Sequence, residues 1–149
     1  MKVNGKLTRT IWPLADPCAV DIIDQTALPY EYRVRRLASL EDVRHAICSM
    51  QVRGAPLIGV TAAYGVALAL VLRADDDTLL AAIATLAATR PTAVNLHWAL
   101  ARLQARLTPL APALRAEAAW LEAARIADED VEQCRRIGEN GLQLLRSRA

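Results

Sequence analysis

The stretch GAPLIGVTAAYGVALALVL, Gly54 to Leu72, holds no charged residue and is bounded by Arg53 and Arg73. Its length could nearly cross a bilayer. Against that, it opens on Gly-Ala-Pro, carries Gly59, Thr61, Tyr64 and Gly65, and draws much of its apolarity from alanine. The better reading is a helix over 57–72 that is buried on every side in a core. Such a helix needs neighbours all round, so the flanking sequence must supply them.

On the upstream side, SLEDVRHAICSM predicts a helix over 39–51. Ser39 opens it, Asp42 stands where a capping box prefers Glu or Gln, and Leu40, Val43, Ile47 and Met50 recur at helical spacing. On the downstream side, RADDDT is a polar break whose acids suit the start of a helix TLLAAIATLAAT. RPTAVNLHWALARLQARL starts another. From Pro112 onward, Trp120, Ala124, Ala127, Val131, Cys134, Gly138 and Leu142 step by three or four, describing one long amphipathic helix interrupted near Gly138 and Gly141. Before residue 38, LTRTIWPL, AVDIIDQ and YEYRVRRL read as short strands, the first two separated by the turn-like ADPC, the third alternating Tyr30, Tyr32 and Val34. The expected fold class is α+β and mostly helical, with a small antiparallel sheet (1–38) followed by a helical bundle (39–149), all in a single domain, 1–149.

Composition removes several function classes. The chain has 149 residues, 54% hydrophobic and 23% charged, ordinary for one globular domain, and its net charge of +2 gives no argument for nucleic acid or an anionic membrane. The arginines are scattered and form no basic run. Cys18, Cys48 and Cys134 are odd in number, widely spaced and without CxxC, which suggests neither disulfide framework nor zinc site and points to a reducing cytoplasm. No secretory h-region is present at the N-terminus.

Arg53 is where chemistry could sit. Proline suits the first position of a helix, so Pro56 marks a start with Ala55 near the cap, and alanine offers no oxygen to the free N–H groups of the first turn. Gly54 lets a ligand approach the backbone, and Arg53 adds a fixed charge with a planar fork of donors. The arrangement recurs at TRPTAVNL, where Arg90 precedes Pro91 and Thr92 adds a hydroxyl. Two arginines at two proline-marked helix starts could grip one phosphorylated ligand from two sides. Either alone reads more simply as a structural turn. His45 reads as a surface residue, while His97, beside Trp98 and near Arg90, is a candidate for lining the pocket. Cys48 and Cys134 fall on apolar helix faces and read as core. Cys18 lies in a turn with nothing nearby to activate it. The acids of DEDVEQ, Asp128 to Gln133, read as a solvated face. No Ser-His-Asp set, metal-ligand cluster or P-loop can be assembled, and no cofactor or metal is expected.

Taken together, IWPL, DIIDQTALPYEY, AICSMQVRGAPLIGVTAAYGVALAL, TRPTAVNLHWAL and EDVEQCRRIGENGLQLL resemble, in that order, the N-terminal portion of the methylthioribose-1-phosphate isomerase family. The likeness runs from Arg9 to Leu145. VRGAPLIG with RPTAVNL is specific for the superfamily, which also holds ribose-1,5-bisphosphate isomerase and the regulatory subunits of the translation initiation exchange factor. DQTALPYEY tilts the choice to the methylthioribose enzyme. The resemblance implies an aldose–ketose isomerase of methionine salvage and methionine biosynthesis. Its substrate carries phosphate on the anomeric carbon, so ring opening and hydrogen transfer between C1 and C2 need a positioned acid and base with the phosphate held throughout. It assigns substrate contacts to Arg53, Gly54, Ala55 and Arg90.

The family's catalytic cysteine, in a THCN-like segment, and its catalytic aspartate, in a Rossmann-like C-terminal domain, have no counterpart in these 149 residues. The resemblance therefore implies an N-terminal substrate-gripping domain that is inactive alone, lacks its Rossmann-like partner and forms a homodimer or larger species through an apolar patch near Leu142 and Leu145. Two other readings stand beside it: a non-catalytic regulatory or assembly module like the initiation-factor subunits, and a purely structural helical domain in which RGAP only starts a helix.

Overall fold

Because the 54–72 stretch has no polar face, a helix built from it must be enclosed, and the computed structural model, which describes residues 2–3, 5–15 and 18–146, encloses it with every other helix of the chain. In order the elements are β1 (Lys2–Val3), β2 (Lys6–Leu7), β3 (Ile11–Pro13), β4 (Val20–Ile23), β5 (Val34–Leu37), α1 (Leu40–Cys48), α2 (Ala55–Leu72), α3 (Asp76–Ala87), α4 (Val94–Leu107) and α5 (Pro112–Arg146). Every residue of α2 from Ile58 to Leu70 is buried. It is long and apolar enough to cross a membrane, but its flanks are spent on α1, α3, α4 and α5. The α+β class and the order of sheet then helices are as expected from the sequence.

Close approach to α2 depends on its glycines. A Cβ on Gly59 would lie 2.8 Å from the Asn95 carbonyl oxygen at the start of α4, and one on Gly65 would lie 2.7 Å from Cγ1 of Val43 on α1. Tyr64 stacks obliquely on Trp120 of α5, with ring centroids 5.2 Å apart. At the far end, the guanidinium of Arg115, only 3% exposed, gathers the carbonyls of Leu107 (3.2 Å), Leu110 (3.1 Å) and Ala74 (3.2 Å) and pairs with Asp76 at 2.6 Å. One side chain thus satisfies the loose carbonyls ending α4 and ties them to the α2–α3 link.

The three-stranded sheet β3–β4–β5 is antiparallel, with Ile11 opposite Ile22 and Val20 opposite Leu37. Those four residues join the helical core directly. Asp21, in the buried strand β4, faces Arg36 across the ladder and pairs with it at 3.1 Å.

Several boundaries differ from the sequence reading. β1 and β2 form a separate hairpin around Gly5, whose φ of 79° permits the reversal, so LTRTIWPL is not one strand. Asp16 and Pro17 of ADPC lie outside the described residues. β5 begins at Val34, not Tyr30: the Glu31 N–H closes a turn on the Ala27 carbonyl, leaving Tyr30 97% exposed and Tyr32 exposed as well. α1 stops at Cys48 because Met50 adopts a left-handed φ of 64°. α5 runs unbroken past Gly138 and Gly141. Glycine in an exposed helix costs about 1 kcal/mol, and ion pairs of Arg135 with Glu132 and Glu139, and of Arg136 with Glu132, span the region. Cys48 and Cys134 are exposed and not core: α1 buries Val43, Ala46 and Ile47 instead, and α5 buries nothing beyond Ala127.

Two glycine substitutions should therefore move stability in opposite directions. Gly59→Ala meets a backbone oxygen that has no rotamer to yield and should cost about 1–3 kcal/mol. Gly138→Ala meets open space and should stabilise by up to about 1 kcal/mol. The urea unfolding midpoint checks the first, and amide exchange within 128–146 checks the second, because Gly138 lies beyond the last buried residue of α5.

Candidate functional site

The helix starts are of two kinds. α1 and α3 are capped: Ser39 Oγ accepts from the Asp42 N–H at 3.1 Å and Asp75 Oδ1 from the Thr78 N–H at 2.8 Å. α2 and α4 are not, their N-caps being Gly54 and Ala93. The two uncapped starts share one corner, because Gly59 sits against the Asn95 carbonyl and Arg90 Nη1 donates to Met50 Sδ at 3.1 Å across the gap between the 50–54 loop and α4. N–H groups and the positive ends of two helix dipoles thus converge there.

The N-cap of α2 is Gly54, one residue before the Ala55 read from the sequence. Its φ of 94° is a conformation glycine adopts without penalty, and no atom lies within 4 Å of where its Cβ would be. Ala55 is the first helical residue and Pro56 the second; both are exposed. At α4, the proline rule fails. Arg90, Pro91 and Thr92 form a turn closed by the Ala93 N–H on the Arg90 carbonyl at 3.0 Å, so Pro91 precedes the helix instead of starting it. His97 nevertheless reaches this turn, with Nε2 3.0 Å from the Pro91 carbonyl, so that nitrogen carries the proton and donates. His45 is exposed on α1, as expected.

Charge separates this corner from the rest of the surface. Most arginines are paired with carboxylates: Arg35 with Asp24, Arg36 with Asp21, Arg102 with Glu122 and Glu129, and Arg125 with Glu122, for example. Among the described residues, Arg53, Arg90, Arg106 and Arg146 are the arginines without such a partner. The first two lie at the corner, and their partners are neutral: Arg53 Nε donates to Gln25 Oε1 at 3.3 Å and Arg90 to the Met50 thioether. Their charge remains uncompensated, whereas Asp128, Glu129 and Glu132 of DEDVEQ, read as merely solvated, are engaged by Arg9, Arg102, and Arg135 with Arg136.

Sequence reasoning missed the segment that completes the corner. Asp24 is fully buried, and its carboxylate accepts from the Thr26 N–H (3.1 Å), the Thr26 hydroxyl (2.5 Å) and Arg35 Nε (2.7 Å). This Asx turn presents Gln25, whose N–H donates to the Gln51 carbonyl at 2.9 Å. Aspartate followed two residues later by threonine is a local turn signal. The contact between Gln25 and Arg53, 28 residues apart, is not. Met50, read as an apolar helix position, serves instead through its left-handed backbone and its sulfur.

On the α5 side of the same helix starts lies a cavity of about 360 Å³, lined by Pro56, Gly59, Val94, Asn95 and Trp98. Glu129 and Asp130 also face it, so an anion is better served on the arginine side. Among the described residues, no group of histidine, cysteine and acidic side chains could hold a metal ion.

The fold and the corner define an α+β domain organised around one enclosed helix whose start lies open beside two uncompensated arginines. Residues 51–149 match the Initiation factor 2 subunit family, and the chain belongs to it. A methylthioribose-1-phosphate isomerase of Dechloromonas aromatica is 58% identical over 144 residues, which cover 97% of this chain and 40% of that protein. The chain thus spans about two-fifths of the length of such relatives. The crystal structure of 5-methylthioribose 1-phosphate isomerase from Pyrococcus horikoshii superposes with a TM-score of 0.77 at 38% identity, covering 85% of this chain and 38% of that one. The delta subunit of translation initiation factor eIF-2B from A. fulgidus gives 0.75 at 36% identity, covering 83% and 38%.

The Asp24 turn has a pH signature. Burial alone would raise its carboxyl, but the hydrogen bonds from Arg35 and Thr26 outweigh it and hold the group below the ordinary aspartate value. A carboxyl depressed in the folded state binds fewer protons than in the unfolded chain, so its contribution is present in full above the unfolded value and is lost as pH falls through the depressed one. Asp24→Asn should lower the unfolding midpoint at pH 7. The gap to the unsubstituted chain should narrow as pH drops below about 4, read by urea unfolding across pH 2.5–7.

Proposed function

We propose that this chain is the substrate-gripping part of an aldose–ketose isomerase that converts methylthioribose 1-phosphate to methylthioribulose 1-phosphate in methionine salvage. The observation that carries the reading is the pairing of Arg53 and Arg90, both without carboxylate partners, at the uncapped starts of α2 and α4. The identity shared with proteins of that name supplies the substrate class. Arg53 and Arg90 hold the phosphate from two sides, the N–H groups beside Gly54 and Ala55 complete its shell, and the phosphate stays fixed while the sugar reacts. The acid and base of the reaction come from residues outside this chain, and these 149 residues alone do not isomerise. The chain acts as one domain in the cytoplasm and self-associates through the exposed Leu142 and Leu145 of α5.

A second reading, a regulatory or assembly module without catalysis, draws support from the likeness to the eIF-2B delta subunit. Binding separates the two. Titration calorimetry with methylthioribose 1-phosphate should show Arg53→Ala and Arg90→Ala each weakening affinity about tenfold or more. Arg53→Lys should also weaken it, since lysine lacks the planar fork. Equal affinity in all four proteins, or none in any, would leave the assembly reading in its place.

A further inference from the structure

The turn at Asp24–Thr26 has no place in the phosphate grip as described, yet it is built with more hydrogen bonds than a connection needs. Its aspartate is entirely buried and engaged by three donors, and its middle residue is fastened through its own N–H to the Gln51 carbonyl, two residues before Arg53. The half-buried side chain of Gln25 then offers its amide oxygen to Arg53 Nε.

We infer that Gln25 is a positioning residue of the anion site: its amide oxygen holds Arg53 by Nε, so that the two terminal Nη groups stay unpaired and aimed outward, without cancelling the charge. The inference rests on the reading of Arg53 as a phosphate ligand. Its physical basis is the geometry of the guanidinium, a rigid planar fork. An acceptor at Nε fixes the plane and leaves the Nη pair free for a second acceptor. An exposed arginine otherwise samples many rotamers, and the entropy lost on binding is reduced when one donor is already held.

A carboxylate at position 25 would fix the plane equally well but form an ion pair and offset the charge the phosphate needs. The neutral amide is what separates orientation from neutralisation. Elsewhere on this surface orientation and neutralisation go together, as in Arg44 with Glu41 and Arg102 with Glu129. Arg90 also has a neutral partner, the Met50 thioether, though it is held there by Nη1 and not by Nε.

Substitution of the side chain leaves the Gln25 N–H bond to Gln51 in place, so the turn itself should persist, and thermal melting of each variant shows whether it does. The experiment is a titration of methylthioribose 1-phosphate into the chain and into Gln25→Ala, Gln25→Glu, Arg53→Ala and the Gln25→Glu/Arg53→Ala double variant. Gln25→Ala should weaken binding by about three- to tenfold through lost orientation, and Gln25→Glu by about tenfold or more. In the Arg53→Ala background, Gln25→Glu should add little, because the side chain it acts through is gone. Wild-type affinity in both Gln25 variants, with loss only in Arg53→Ala, overturns the role of Gln25 and leaves the phosphate reading standing. An equal further loss from Gln25→Glu in the double variant also overturns it, since the new charge would then be acting without Arg53. No binding by the unsubstituted chain, or unchanged binding in Arg53→Ala, overturns the phosphate reading and this inference with it.

Discussion

The enclosure of α2 is the constraint from which the rest of the structure follows. A helix apolar on every face has no side to give to water, so α1, α3, α4 and α5 must each lend it an apolar stripe, and the sheet closes the remaining part of the core. Enclosure on all flanks leaves only the two ends for solvent. At the C-terminal end, Arg73 meets Asp75, and the following carbonyl of Ala74 is taken by Arg115. At the N-terminal end nothing comparable happens. Gly54, Ala55 and Pro56 are exposed, and no side chain caps the first turn. A fold that hides its central helix so fully can offer that helix to a ligand only through this opening.

The distribution of charge agrees with that geometry. Around the body, carboxylates and guanidiniums are matched locally, some in ladders across the sheet, some along one helix and some between helices. Such pairs contribute little individually when exposed, but they leave few uncompensated cations. At the open end of α2 the matching stops. Burial at Gly59 brings α4 against α2 and carries Arg90 to the same corner as Arg53, so core packing sets the spacing of the two charges.

Much of this was legible in the sequence for one reason: α2 is so apolar that its type and burial follow from composition, and the elements around it carry ordinary helical spacing. The position of Gly54 and Arg53 at a helix start was legible too, because Pro56 marks the first turn. Pro91 misled, since a proline one residue after arginine fits a β-turn as well as a helix start, and only the bond between Ala93 and Arg90 decides between them. Tyr30 and Tyr32 alternate like a strand but lie in a turn and in the irregular link after it, as alternation over so few residues does not distinguish a ladder from a loop. Cys134 lies on the correct stripe of α5 but beyond the point where the helix has anything to pack on, and periodicity reports the direction of a side chain without reporting whether a neighbour is there. Gln25 was hidden for the most general reason, that a contact across 28 residues has no local signature.

The long reach of α5 has a consequence for cooperativity. Its 35 residues extend about 50 Å, yet its last buried residue is Ala127. Beyond Asp128 and Glu129, which Arg9 and Arg102 still hold, the helix is kept by its own backbone bonds and by pairs such as Arg136 with Glu132, with Ile137, Leu144 and Leu145 exposed. Free energy of opening in that portion is uncoupled from the core, so its amides exchange with solvent through local fraying, and those before Ala127 through larger excursions of the whole body. The helix is one element in geometry and two in thermodynamics. Salt, which screens its exposed ion pairs, acts on the outer half while leaving the enclosed helix and its open corner in place.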